Sequence, residues 1–106
     1  MTDEFLIAWC ACPNRAAADT LADALVERRL AACVTALPAA HSTYRWADKV
    51  EHADEIVLMI KTRADLWAPL EAAVLELHPY DVPELIATPI DGGAPAYLQW
   101  LHESTT

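Results

Sequence analysis

Glycine is nearly missing from this chain: among 106 residues only Gly92 and Gly93 occur, and they are adjacent. A phosphate-cradling P-loop and a dinucleotide-binding turn both need glycines spaced along a loop, so both are excluded. The zinc helix H-E-x-x-H and the nucleophile elbow G-x-S-x-G are also absent. A Cys/His pair could still form through space, but no local signature points to one, and no enzyme is expected. Positive charge is scarce. Lys and Arg number 7 against 16 Asp and Glu, a formal net charge of −9. Nucleic-acid affinity rests on cations that neutralise phosphates and release counterions, so nucleic acid is not an expected partner. Neither a long apolar run nor a basic amphipathic helix is present, and no membrane association is expected. Residues 1–10 have no basic region and include Asp3 and Glu4, which argues against a secretory signal. The three cysteines lack secreted-domain spacing and read as reduced thiols in the cytoplasm.

What the chain does have is apolar surface. Its length suits one domain over residues 1–106, yet 55% of its residues are apolar and four are tryptophan. A small monomer cannot hide that much internally, so burial against other copies of the same chain is expected.

The order of elements follows from periodicity. The apolar run Phe5-Leu6-Ile7-Ala8-Trp9-Cys10 reads as a buried first strand. Asn14 can cap a helix whose Ala18, Leu21, Ala22 and Leu25 share one face, with Asp19, Asp23 and Glu27 opposite. Residues 33–37 and 41–46 lean towards strand, with Pro38 marking a bulge or edge irregularity between them. Ala47-Asp48 turns the chain, and residues 49–62 return as a long strand, forming a hairpin that extends beyond the body. Leu66, Leu70, Ala73, Val74 and Leu77 line a second helix, where Pro69 demands a late start or a kink. Pro79 ends it and pushes His78 towards extended geometry. Residues 85–88 form a last strand, and Pro95 opens a short C-terminal helix. The order β-α-β-β-α-β plus a helix predicts an α+β, ferredoxin-like split βαβ sandwich.

Two segments carry candidate chemistry. In Cys10-Ala11-Cys12 the thiols fall on one face of a strand, where they can share a soft ion such as Cu(I) or pack as small hydrophobes. The loop from His78 to Glu84, stiffened by Pro79 and Pro83, offers ligands suited to Cu(II) or Zn(II), or is a polar turn. Cys33 reads as core, His41, His52 and His102 as solvated, and Glu51, Asp54 and Glu55 as a solvated face of the hairpin. Tyr44 and Trp46 share one strand face and read as a subunit contact.

Taken in order, these segments resemble the CutA family of divalent-cation tolerance proteins. The match rests on Cys10-Ala-Cys-Pro13, Arg29-Leu-Ala-Ala-Cys33-Val34, Tyr44-Arg-Trp46 with Glu51, Ile60-Lys61-Thr62, His78-Pro-Tyr80 leading to Pro83-Glu84-Leu85, and Tyr97-Leu-Gln-Trp100-Leu101. The resemblance implies a cytoplasmic homotrimer similar to the PII signalling trimers, binding copper, or zinc or another divalent cation, in metal homeostasis. It implies Cys10, His78 and Glu84 as metal positions. Cys12 replaces the small non-thiol residue of the family's pattern, and Leu77 stands where some relatives carry a second histidine. The first and fourth strands are expected at opposite edges of one sheet, so that Cys10 and Glu84 would meet across a subunit boundary. Alternatively, Cys10 and Cys12 bind Cu(I) without the loop. The competing function is a PII-like sensor that takes a small metabolite or nucleotide in clefts between subunits.

Overall fold

A computed structural model describes residues 4–106, so Asp3 and the start of the stretch read as lacking a secretory signal lie outside it. The described elements are β1 (Phe5–Cys12), α1 (Arg15–Glu27), β2 (Cys33–Trp46), β3 (Lys49–Arg63), α2 (Trp67–Leu77), β4 (Ile86–Pro89) and α3 (Pro95–Ser104). A turn of 3-10 helix, Ala64–Leu66, leads into α2. Pro69 therefore falls in the first turn of α2, where its missing N–H costs nothing.

All strand pairs are antiparallel, in the order β2-β3-β1-β4. This is the ferredoxin-like sandwich, but it corrects the expected placement of the edges. β4 lies directly beside β1, with Trp9 opposite Ile86 and Leu6 opposite Pro89. The crossover through α1 leaves one slot between β1 and β2, which β3 fills. The other side of β1 is then open to β4. The His78-to-Glu84 loop thus returns beside β1 within a single chain.

Strand pleat sorts the side chains. Ala8, Cys10, Cys12, Leu58 and Ile60 face α1 and α2, where they meet Leu21, Leu25, Leu70 and Val74 in one buried cluster. On the other face, Ile7, Trp9, Val57 and Met59 are half-buried, while Leu37 and Ile86 are exposed. Cys33 lies on this second face and is only partly buried, because it pairs opposite Lys61 rather than joining the core. The hairpin of β2 and β3 stretches the molecule to 46 × 25 × 23 Å, with a radius of gyration of 14.4 Å. A compact chain of this length has about 13 Å. Among the described residues, no helix is long and apolar enough to cross a membrane.

The shortage of glycine leaves a mark on the backbone. Arg29, Ala39, Ala47 and Asp48 all adopt positive φ, between 51° and 64°, where L side chains crowd the backbone. Ala47 and Asp48 form the two-residue turn between Trp46 and Lys49, and Ala39 sits in the irregularity between Leu37 and Ala40. Arg29 closes α1: its N–H donates to Val26 O at 3.1 Å, and Leu30 N–H donates to Leu25 O at 2.9 Å. That is a Schellman closure with arginine where glycine is favoured. Arg29→Gly should stabilise the protein by about 1 kcal/mol, measured by denaturant midpoint at unchanged slope. No gain would mean that the arginine side chain makes offsetting contacts.

The hairpin histidines are not simply solvated. His41 and His52 stack with centroids 5.5 Å apart, His41 Nδ1 lies 2.8 Å from Asp54 Oδ1, and His52 Nδ1 lies 3.1 Å from Thr43 Oγ1. Cross-strand register places them diagonally on one hairpin face, which a linear reading did not show. His102 Nδ1 lies 3.5 Å from Arg63 Nη1.

Candidate metal centre

Cys10, Cys12 and His78 come together, with ligand atoms all within 4.8 Å of one another. Both thiols are fully buried on the helix-covered face of β1. His78 reaches them because α2 ends there: as the residue before Pro79 it takes φ −75°, ψ 138° and leaves the helix. Glu84 is not in this group and is exposed on the loop. The structure thus brings the second thiol and the histidine to Cys10 inside one chain, and leaves the carboxylate outside.

His78 is also a structural rivet. It is 7% exposed, and its Nδ1 accepts from Tyr80 N–H at 3.1 Å. A backbone N–H can only donate, so the remaining proton sits on Nε2 and donates to Ala11 O at 2.8 Å. The ring ties the loop to β1 between the two cysteines. Any ligation through Nδ1 must displace Tyr80 N–H.

The thiols share their protons unequally. Cys10 is pushed far above the ordinary thiol range, first by its hydrogen bond to Cys12, then by burial and by the negative charges of Cys12, Glu84 and Glu55. Cys12 is lowered, because that hydrogen bond stabilises its thiolate more than burial and Glu55 oppose it. The hydrogen bond thus eases loss of the first proton, at Cys12, and opposes loss of the second, at Cys10. Two soft sulfurs beside an imidazole fit a soft or borderline cation, and the donor set passes that test of chemistry.

A second feature lies back to back with the thiols across β1. A cavity of about 680 Å³ opens between the hairpin and the loop, lined by Ala11, Ser42, Thr43, Tyr44, Trp46, Glu55, Pro79, Tyr80, Asp81, Val82 and Glu84. Glu55, read from sequence as solvated, is only 8% exposed, and its Oε2 accepts from Tyr80 O–H at 2.9 Å. Burial first, then Glu55, pushes the Tyr80 hydroxyl up to about 12. Sequence reasoning missed Glu55 because its partner lies 25 positions away on a loop.

A sequence profile described as CutA1 divalent ion tolerance protein matches residues 6–104. The Divalent-cation tolerance protein CutA of Thermus thermophilus is 46% identical over 93 residues, 88% of this chain and 90% of that protein. Protein CutA, chloroplastic, of Arabidopsis thaliana is 46% identical over 100 residues, covering 94% of this chain. This chain spans only 55% of the Arabidopsis protein's length. The crystal structure of CutA1 from Oryza sativa superposes with a TM-score of 0.96 at 42% identity, covering 99% of this chain and 96% of that one.

Proposed function

The chain belongs to the CutA1 divalent ion tolerance family, and from that premise we propose that it is a homotrimeric metal-binding protein that holds copper as Cu(I) and contributes to cation tolerance. The observation that carries this reading is the convergence of Cys10, Cys12 and His78. Cys10 and Cys12 supply the soft sulfurs, and His78 completes the set once one ring nitrogen gives up its present hydrogen bond. Glu84 acts through its charge rather than as a ligand. Zinc, which also takes Cys and His ligands, or another divalent cation is the alternative occupant. The protein acts as a binder, not a catalyst. Reduced thiols favour the cytoplasm, although the Arabidopsis relative is named chloroplastic. Titration of reduced, metal-free protein with Cu(I) against a competing chelator should reach one ion per chain. No saturable uptake would sink the copper reading.

Assembly is supported by the half-open sheet face and by Trp46, which is 54% exposed on the projecting hairpin. An apolar sheet face and a free strand edge need cover, and further copies of the chain supply it. Light scattering at micromolar concentration should give three times the 11.7 kDa chain mass. Trp46→Ala should weaken association about tenfold or more, as loss of a large aromatic anchor does. A monomer mass for the unmutated protein ends the proposal.

A further inference from the structure

We propose that the cavity between the hairpin and the 79–84 loop binds a small organic ammonium ion, with Glu55 as its counter-charge and Tyr44 and Tyr80 as its aromatic walls. Glu55 is the starting point. The residue is 8% exposed, and among the described residues its one side-chain hydrogen bond comes from a neutral phenol. Two carboxylate oxygens offer about four acceptor sites, and one O–H neither fills them nor neutralises the charge. Buried charges are paired or they coordinate a cation. Among the described residues no Lys, Arg or His lines the cavity, whereas Asp81 and Glu84 add two more carboxylates.

The shape of the site selects among cations. A bare metal ion needs donors that converge, yet Glu55, Asp81 and Glu84 do not form a group of ligand atoms within 4.8 Å. The negative charge is spread around a space of about 680 Å³, far larger than one ion and within the range of small-molecule sites. Aromatic faces attract a diffuse cation through their quadrupoles, most of all quaternary ammonium. The same charge disfavours the phosphates of a nucleotide, so a small cation suits this cavity better than a nucleotide. The inference does not depend on metal at the thiols, which face the other side of β1.

The test uses the assembled protein held metal-free with chelator. Choline, its uncharged isostere with carbon in place of nitrogen, and ATP are each titrated by calorimetry and by tryptophan fluorescence. Choline should saturate at one per chain, with the isostere about tenfold weaker and ATP not binding. Glu55→Gln preserves shape and an acceptor for Tyr80, and should weaken choline about tenfold while leaving the isostere unchanged. Cys10→Ser should leave choline binding intact, which separates this site from the metal reading. Should Glu55→Gln fail to fold, Tyr44→Leu should still cost several-fold in choline affinity. Equal binding of choline and the isostere, preferential binding of ATP, or no saturation with choline overturns the proposal. So does a Glu55→Gln protein that loses only its assembly, because the carboxylate would then be neutralised by another copy of the chain.

Discussion

Replacing His78 with alanine should cost about 3 kcal/mol of stability, the largest loss expected from any residue of the candidate centre. The substitution removes two hydrogen bonds at once. Ala11 O loses the Nε2–H donor at 2.8 Å, and Tyr80 N–H loses its acceptor at 3.1 Å. Ala11 O is buried and costs about 1–3 kcal/mol once orphaned, whereas the part-buried Tyr80 N–H costs less because water can reach it. A cavity the size of an imidazole adds to the loss beside Cys10 and Cys12. At a fixed protomer concentration the midpoint of thermal unfolding should fall by roughly 15 °C. His78→Gln, which can span part of the gap as donor and acceptor, should recover some of that. A fall of less than about 3 °C would show that water replaces the ring and that the loop is not anchored to β1 in this way.

How much of this was legible in the sequence depends on the range of the signal. The cap of α1 was local: Asn14 Oδ1 does accept from Ala17 N–H at 2.8 Å, and Ala18, Leu21 and Leu25 are the buried face. The same holds for the turn at Ala47-Asp48, the irregularity after Leu37 and Pro95 opening α3. The co-facing of Cys10 and Cys12 also followed from pleat alone. What failed was set by partners distant in sequence. The neighbour of β1 was misplaced because strand order depends on where the α1 crossover leaves room, not on any property of residues 85–88. Glu55 looked like its neighbour Asp54, yet it is buried by Tyr80 and the loop from the other end of the fold. His41 and His52 are eleven positions apart and become neighbours only through cross-strand register. Cys33 was assigned to the core by its apolar flanks, but one step of register decides its face.

The second large effect concerns copper. Cys10→Ser and Cys12→Ser should each lower Cu(I) affinity about 100-fold or more, because removing a ligand costs at least as much as disturbing the groups that orient it. The two variants should differ in their response to acid. Metal binding displaces protons, so affinity falls as pH drops through the thiols' own range. In the unmutated protein Cys12 is lowered by the hydrogen bond from Cys10, so protons compete with the ion only at lower pH. Cys10→Ser keeps an O–H to donate to Cys12 and should retain that acid resistance, whereas Cys10→Ala loses the donor and should weaken further as pH falls. Cys12→Ser leaves Cys10 alone in the core, where burial and the charges of Glu84 and Glu55 still oppose its thiolate, so its binding should be the most sensitive to acid. Glu84→Gln should change affinity by less than about threefold, since the carboxylate lies outside the group of converging donors. A large loss in Glu84→Gln with none in Cys12→Ser would return the site to the loop. Copper binding unchanged by Cys10→Ser would mean that both thiols serve only to pack β1 against the helices.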